Sequence, residues 1–182
     1  MTERFPLHEF GWKALGAVLK QMGRNAEALA PMQKAASLAP GDEEAHYNLG
    51  ATLHQLGRLD EAESSYRRAL QINPDYADAY SNLGVMLQDL GRLDEADASF
   101  RRALQINPDY ADRLSNLGVA FYQSGRLQEA EASLSRALEA KPGDAQALCN
   151  LGMILRDMGR LDESGTCYRR AIEIKPDLAE EH

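Results

Sequence analysis

Few residues in this chain could do chemistry, and most are badly spaced for it. His8, His46, His54 and His182 are its four histidines, and His46 and His54 fall two turns apart on one predicted helix. That is too far to share a metal ion without outside ligands. Cys149 lacks a histidine at helical spacing, and with Cys167 it makes a pair too sparse for a disulfide framework. Both read as reduced thiols of a cytoplasmic protein. No Gly-x-Ser-x-Gly elbow, phosphate loop or His-Glu-x-x-His pair occurs. The carboxylate pairs Asp60-Glu61, Asp94-Glu95 and Asp162-Glu163 stand where helices open, and the helix dipole accounts for them there. The chain is therefore expected to be no enzyme, with no cofactor and no metal. Hydrogen bonding is what remains. Asn48, Asn82, Asn116 and Asn150 recur every 34 residues. Asparagine inside a helix is worse than alanine by several tenths of a kcal/mol, so some interaction should offset it. A primary amide carries donors and an acceptor together, which suits the main chain of an extended peptide.

The elements that must hold these amides follow from the same period. Pro6, Pro40, Pro74, Pro108, Pro142 and Pro176 lie on a 34-residue grid, as do Gly16, Gly50, Gly84, Gly118 and Gly152, and Gly23, Gly57, Gly91, Gly125 and Gly159. Five units result, 9–42, 43–76, 77–110, 111–144 and 145–178. Each unit reads as two amphipathic helices. In 77–90, Tyr80, Leu83, Met86, Leu87 and Leu90 follow three- and four-residue spacings, and Gly91 stands where a helix end takes a left-handed residue. The second helix opens with Asp94 and Glu95 and spans about 93–106. Asn107-Pro108-Asp109 stops it, and Asp109 with Asp112 resembles a capping box for the next helix. The mid-helix glycines cost about 1 kcal/mol each relative to alanine, so they predict close approach of the paired helix, with Ala28, Ala62, Ala96, Ala130 and Ser164 as small partners. A second series, Ala35, Ala69, Ala103, Ala137 and Ala171, predicts where the next unit comes close. Pro31, inside the second helix of the first unit, predicts a local kink. No strand alternation appears, and the class is all-α.

The asparagines precede the close-approach glycines by two residues, about 200° round a helix of 3.6 residues per turn. They should point away from the partner helix. First helices about 10 Å apart and an extended chain advancing about 3.3–3.6 Å per residue would bring one amide to every third peptide residue. Around them stand Glu44, Asp78 and Asp112 at the second position of their units, Gln146 in the fifth, and Asp89 and Asp157 at the thirteenth. Ala17, Ala51, Val85, Val119 and Met153 supply a small apolar floor. This rim predicts a preference for neutral or basic segments. The competing reading makes the asparagines copied surface residues, because units two and three share RRALQINPDYAD verbatim.

The pattern Tyr80, Leu83-Gly84, Leu87, Ala96, Phe100, Ala103, Pro108 resembles the tetratricopeptide repeat, and the resemblance runs over 9–178. It implies a right-handed superhelix, a solenoid of five helix-turn-helix units, with first helices lining a concave groove. The asparagine-leucine-glycine strings are similar to the superhelix of O-linked N-acetylglucosamine transferases and their bacterial relatives, where an asparagine ladder holds substrate polypeptide. That resemblance implies that Asn48, Asn82, Asn116 and Asn150 are such a ladder, ended by Ala14 in the first unit. The carboxylate clamp of chaperone-binding repeats is missing, since its fifth position holds Lys13, Tyr47, Ser81, Ser115 and Cys149.

Composition sets the remaining bounds. With 20 Lys+Arg against 28 Asp+Glu the net charge is −8, which speaks against nucleic acid as a partner. No apolar run is long enough for a membrane span. Residues 1–8 read as the tail of a preceding repeat and 179–182 as the start of a further helix, so the chain resembles a segment of a longer array. An unreceived face near Tyr168, Ile172 and Ile174 would then invite end-to-end self-association. The leading expectation is a non-catalytic interaction scaffold that binds extended segments of other proteins in its groove. The alternatives are a substrate-recruiting arm of a larger, glycosyltransferase-like enzyme, or an array that assembles through its ends.

Overall fold

The computed structural model describes residues 9–176, so the expected tail at 1–8 and the expected helix start at 179–182 lie outside the described residues. Within them are ten α-helices, one 3-10 turn and no strand. The helices are α1 (Glu9–Gln21), α2 (Asn25–Leu38), α3 (Glu43–Gln55), α4 (Leu59–Ile72), α5 (Ala77–Asp89), α6 (Leu93–Ile106), α7 (Ala111–Gln123), α8 (Leu127–Ala140), α9 (Ala145–Asp157) and α10 (Leu161–Ile174). Two compact units divide the chain between Met86 and Leu87, inside α5. In the first unit α1 pairs with α2 and α3 with α4, and in the second α7 pairs with α8 and α9 with α10.

Backbone chemistry closes each hairpin. Gly23, Gly57, Gly91, Gly125 and Gly159 all have φ between 71° and 79°, a region where a Cβ is penalised. Gly57 N–H donates to the His54 carbonyl and Arg58 N–H to the Leu53 carbonyl, each at 2.9 Å. This is a Schellman ending, and the same pair of bonds recurs at the other four glycines. The arginine that follows then caps the second helix without any side-chain cap bond of its own. A cation at the positive end of a helix is unfavourable, and a glutamate three residues on offsets it. Arg58 makes two 2.7 Å bonds to Glu61, and Arg24–Glu27, Arg92–Glu95, Arg126–Glu129 and Arg160–Glu163 repeat the arrangement. These pairs are largely exposed, so each stabilises only slightly.

The close-approach glycines work through a different partner from the one their spacing predicts. A Cβ on Gly50 would stand 2.9 Å from the Tyr66 ring, one on Gly152 3.0 Å from Tyr168, one on Gly16 2.8 Å from the Met32 sulfur, and one on Gly118 2.7 Å from Leu134 Cγ. The large residue sixteen positions on, rather than the alanine twelve positions on, occupies the space. Backbone proximity is secondary: the Ala130 carbonyl would be 3.2 Å from that Gly118 Cβ, and Ser164 Oγ donates to the Gly152 carbonyl at 2.7 Å. Both alanine series are nonetheless part of the core, since Ala28, Ala62, Ala96 and Ala130 are fully buried and Ala35, Ala69, Ala103, Ala137 and Ala171 nearly so.

The first helices begin in two ways. Asp42 caps α3, accepting from Glu44 N–H at 2.9 Å and Ala45 N–H at 3.1 Å. Asp144 caps α9 through Ala147 N–H at 3.0 Å. The Asn-Pro-Asp loops differ, and here the expected capping box is corrected. Asn107 Oδ1 accepts from Asp109 N–H at 2.9 Å and caps the 3-10 turn Pro108–Tyr110, after which α7 starts at Ala111 with Tyr110 as an N-cap that makes no side-chain cap bond. Asn73 repeats the bond to Asp75 N–H at 3.1 Å. Proline fixes φ and needs no donor at such a start, so asparagine caps the turn before it. Pro31 is buried within α2, which runs unbroken from Asn25 to Leu38.

Candidate functional site

In the first compact unit, Gly50 of α3 faces the Tyr66 ring of α4. Asn48 is half-buried, as is Asn82 on α5. Tyr47 packs its ring against Tyr76 (5.0 Å between centroids) and Tyr66 (6.1 Å), and burial together with the nearby Asp78 carboxylate pushes its phenol pKa up. Its hydroxyl therefore stays neutral at physiological pH, and it accepts a 2.9 Å hydrogen bond from Asn82 Nδ2. That bond ties α3 to α5 within the first compact unit.

In the second unit, Asn116 on α7 is exposed and Asn150 on α9 half-buried. Asn150 Oδ1 accepts from Gln146 Nε2, one turn earlier, at 3.3 Å. Ser115 stands where Tyr47 does in its unit; it is buried and too short to reach the next rung. All four amides thus reach solvent on the first helices, and two are already oriented by neighbours within the chain.

The carboxylates around them are engaged more than their exposure in sequence suggests. Glu44 pairs with Lys13, which also holds Asp42 at 2.9 Å. Asp112 pairs with Lys141 at 3.0 Å. Asp157 accepts from the Tyr122 hydroxyl at 2.6 Å and from Arg156 at 3.2 Å, and the Tyr122 hydrogen bond holds its carboxyl below the usual carboxylate range. Asp78 and Asp89 are exposed and each has a partner. Sequence reasoning did not find Lys13, Lys141, Tyr122 or Gln146 as partners of the rim. Each lies 4 to 35 residues from the group it meets, and the longer spans become contacts only once repeats stack. Among the described residues no group of His, Cys, Asp or Glu could hold a metal ion, and Cys149 and Cys167 are free thiols.

Repeated helix hairpins with a left-handed glycine at each turn, and a small residue under each large one, define a family. Models of the tetratricopeptide repeat match residues 11–75, 41–107 and 75–142, and a further one matches 115–179. The chain belongs to the tetratricopeptide repeat family, and its fold is the all-α solenoid of that family. Solved structures agree. MamA aligns with TM-score 0.78 at 22% identity, over 96% of this chain and 95% of MamA. YrrB, described as a tetratricopeptide protein with an unusual peptide-binding site, aligns with TM-score 0.74 at 23% identity over 97% and 91%. PilF of Pseudomonas aeruginosa aligns with TM-score 0.67 at 21% identity over 91% and 75%. No curated protein matches the sequence. Among the described residues no helix is long and apolar enough to cross a membrane.

Proposed function

We propose that this chain is a non-catalytic, cytoplasmic interaction scaffold that binds the main chain of extended segments of other proteins along its first helices. Asn48 and Asn82 serve in the first unit, Asn116 and Asn150 in the second. The observation that carries this reading is the recurrence of a solvent-reaching amide at one position of successive first helices. Main-chain recognition tolerates many side chains, so selectivity falls to the rim. Since Glu44, Asp112 and Asp157 are already paired, neutral segments are favoured and basic ones gain little from them. The peptide-binding site for which YrrB is described fits a role of this kind.

The test is a peptide selected against the wild type from a library of unstructured 15-residue sequences, with affinity measured calorimetrically. Changing all four asparagines to alanine should weaken binding by roughly thirtyfold or more, the sum of several modest hydrogen bonds. Affinity should change little between low and high salt. Unaltered affinity of the quadruple variant would end the reading, and a steep salt dependence would restore the acidic rim as the main attraction.

A second reading is favoured by one observation. Ile172 and Ile174, on the last described helix, are 45% and 46% exposed, a pair of large apolar groups that a further copy of this chain could cover.

A further inference from the structure

Building on the main-chain reading above, we propose that Tyr47 is a positioning residue that converts Asn82 into a hydrogen-bond acceptor for the bound segment. A free asparagine amide can meet an extended peptide twice, donating to a carbonyl and accepting from an N–H. The Asn82 Nδ2 group is turned onto the Tyr47 hydroxyl at 2.9 Å, and Tyr47 is itself held by rings at 5.0 and 6.1 Å. That leaves Oδ1 as the atom best placed for a ligand. Asn48, one residue along α3 from Tyr47, has no such tie and keeps both functions. Asn150 is biased the other way, because its Oδ1 is taken by Gln146 at 3.3 Å and its N–H donors remain.

The two rungs of the first unit therefore differ. Asn82 keeps its Oδ1 wholly free while one of its two N–H groups is engaged, so a segment lying across them is met best there by a main-chain N–H and a proline at that register is disfavoured, whereas a proline facing Asn150 is tolerated. The hydrogen bond to the Tyr47 hydroxyl also restrains the Asn82 amide, which reduces the ordering cost of binding. Neither Ser81, Ser115 nor Cys149 at the equivalent position has a phenol to offer, so the device is confined to this pair of helices.

The experiment is side-chain amide NMR on the isotopically labelled full chain, wild type and Tyr47→Phe, first alone and then with a neutral twelve-residue Ala-Ser repeat peptide. The phenylalanine keeps the ring packing, and so the fold. Without peptide, the Asn82 NH2 protons of the wild type should exchange about three- to tenfold more slowly than in Tyr47→Phe. Equal exchange in the two proteins overturns the proposal whatever the peptide does. On titration the Asn48 NH2 signals should move further than those of Asn82, and in Tyr47→Phe the two should move alike. Asn82 NH2 signals that follow the peptide as far as those of Asn48 in the wild type also overturn it. If none of the four asparagines responds to peptide, the main-chain reading falls, and the exchange comparison still decides whether Tyr47 orients Asn82.

Discussion

At the scale of single residues, the glycines that let paired helices approach are not equivalent, because the group each one faces differs in how easily it yields. Gly118 would drive a Cβ to 2.7 Å from the branched Leu134 Cγ and 3.2 Å from a backbone carbonyl, neither of which can swing aside. Gly16 faces the end of Met32, which is flexible. Gly118→Ala should therefore lose about 1–3 kcal/mol of stability through overpacking. Gly16→Ala should be near neutral, since alanine regains up to about 1 kcal/mol of helix propensity. Chemical denaturation of the two variants checks this, and equal losses would contradict the packing account. The same contrast marks what the sequence could convey at this scale. The 34-residue spacing of glycines announced that something comes close. That the something is Tyr66, Leu134 or Tyr168 rather than Ala62, Ala130 or Ser164 depends on how far a ring or a branched chain reaches back along its own helix. Spacing carries no information about that reach. Nor could it show that Tyr47 reaches Asn82, 35 residues away.

At the scale of elements, the helices and their turns were almost wholly legible. The limits 93–106 expected for α6 are those observed, and every loop glycine expected to be left-handed is so. The starts of first helices were less so, since an aspartate shortly after proline looks the same whether it caps a helix, as Asp42 does, or lies inside a capped 3-10 turn, as Asp109 does. Asp42 is a true cap and offers a pH-dependent test. Burial pushes its carboxyl up, but the Lys13 ammonium and the Ala45 and Glu44 amides together bring it below the ordinary carboxylate value. A folded-state pKa lowered in this way contributes stability above the unfolded pKa near 4, and that contribution disappears as pH falls through the folded value. Asp42→Ala should cost about 1 kcal/mol at pH 7, and the difference from wild type should shrink in acid as pH falls through the lowered folded-state value. Asp109→Ala, at a site where asparagine does the capping, should leave stability nearly unchanged at both pH values. Urea unfolding at the two pH values is the measurement. A cost for Asp42→Ala that persists in acid would show that packing rather than the carboxylate is responsible.

At the scale of the whole molecule, the last described helix leaves large apolar side chains in solvent. If the exposed Ile172 and Ile174 meet another copy, sedimentation velocity of the wild type should show mass rising with concentration, and the Ile172→Glu, Ile174→Glu double variant should stay monomeric at the same loading. A wild type that is monomeric throughout would remove self-association from consideration. One further consequence comes from the Asn-Pro-Asp-Tyr turns capped by Asn73 and Asn107, which sit in the verbatim stretches RRALQINPDYAD. Two identical joints flanking a complete helix pair make that pair a cassette: recombination between them adds or drops 34 residues without disturbing any helix stop, asparagine-capped turn or helix start. Such a repeat array can thus lengthen or shorten by whole helix pairs in one genetic event, with no intermediate that must fold badly.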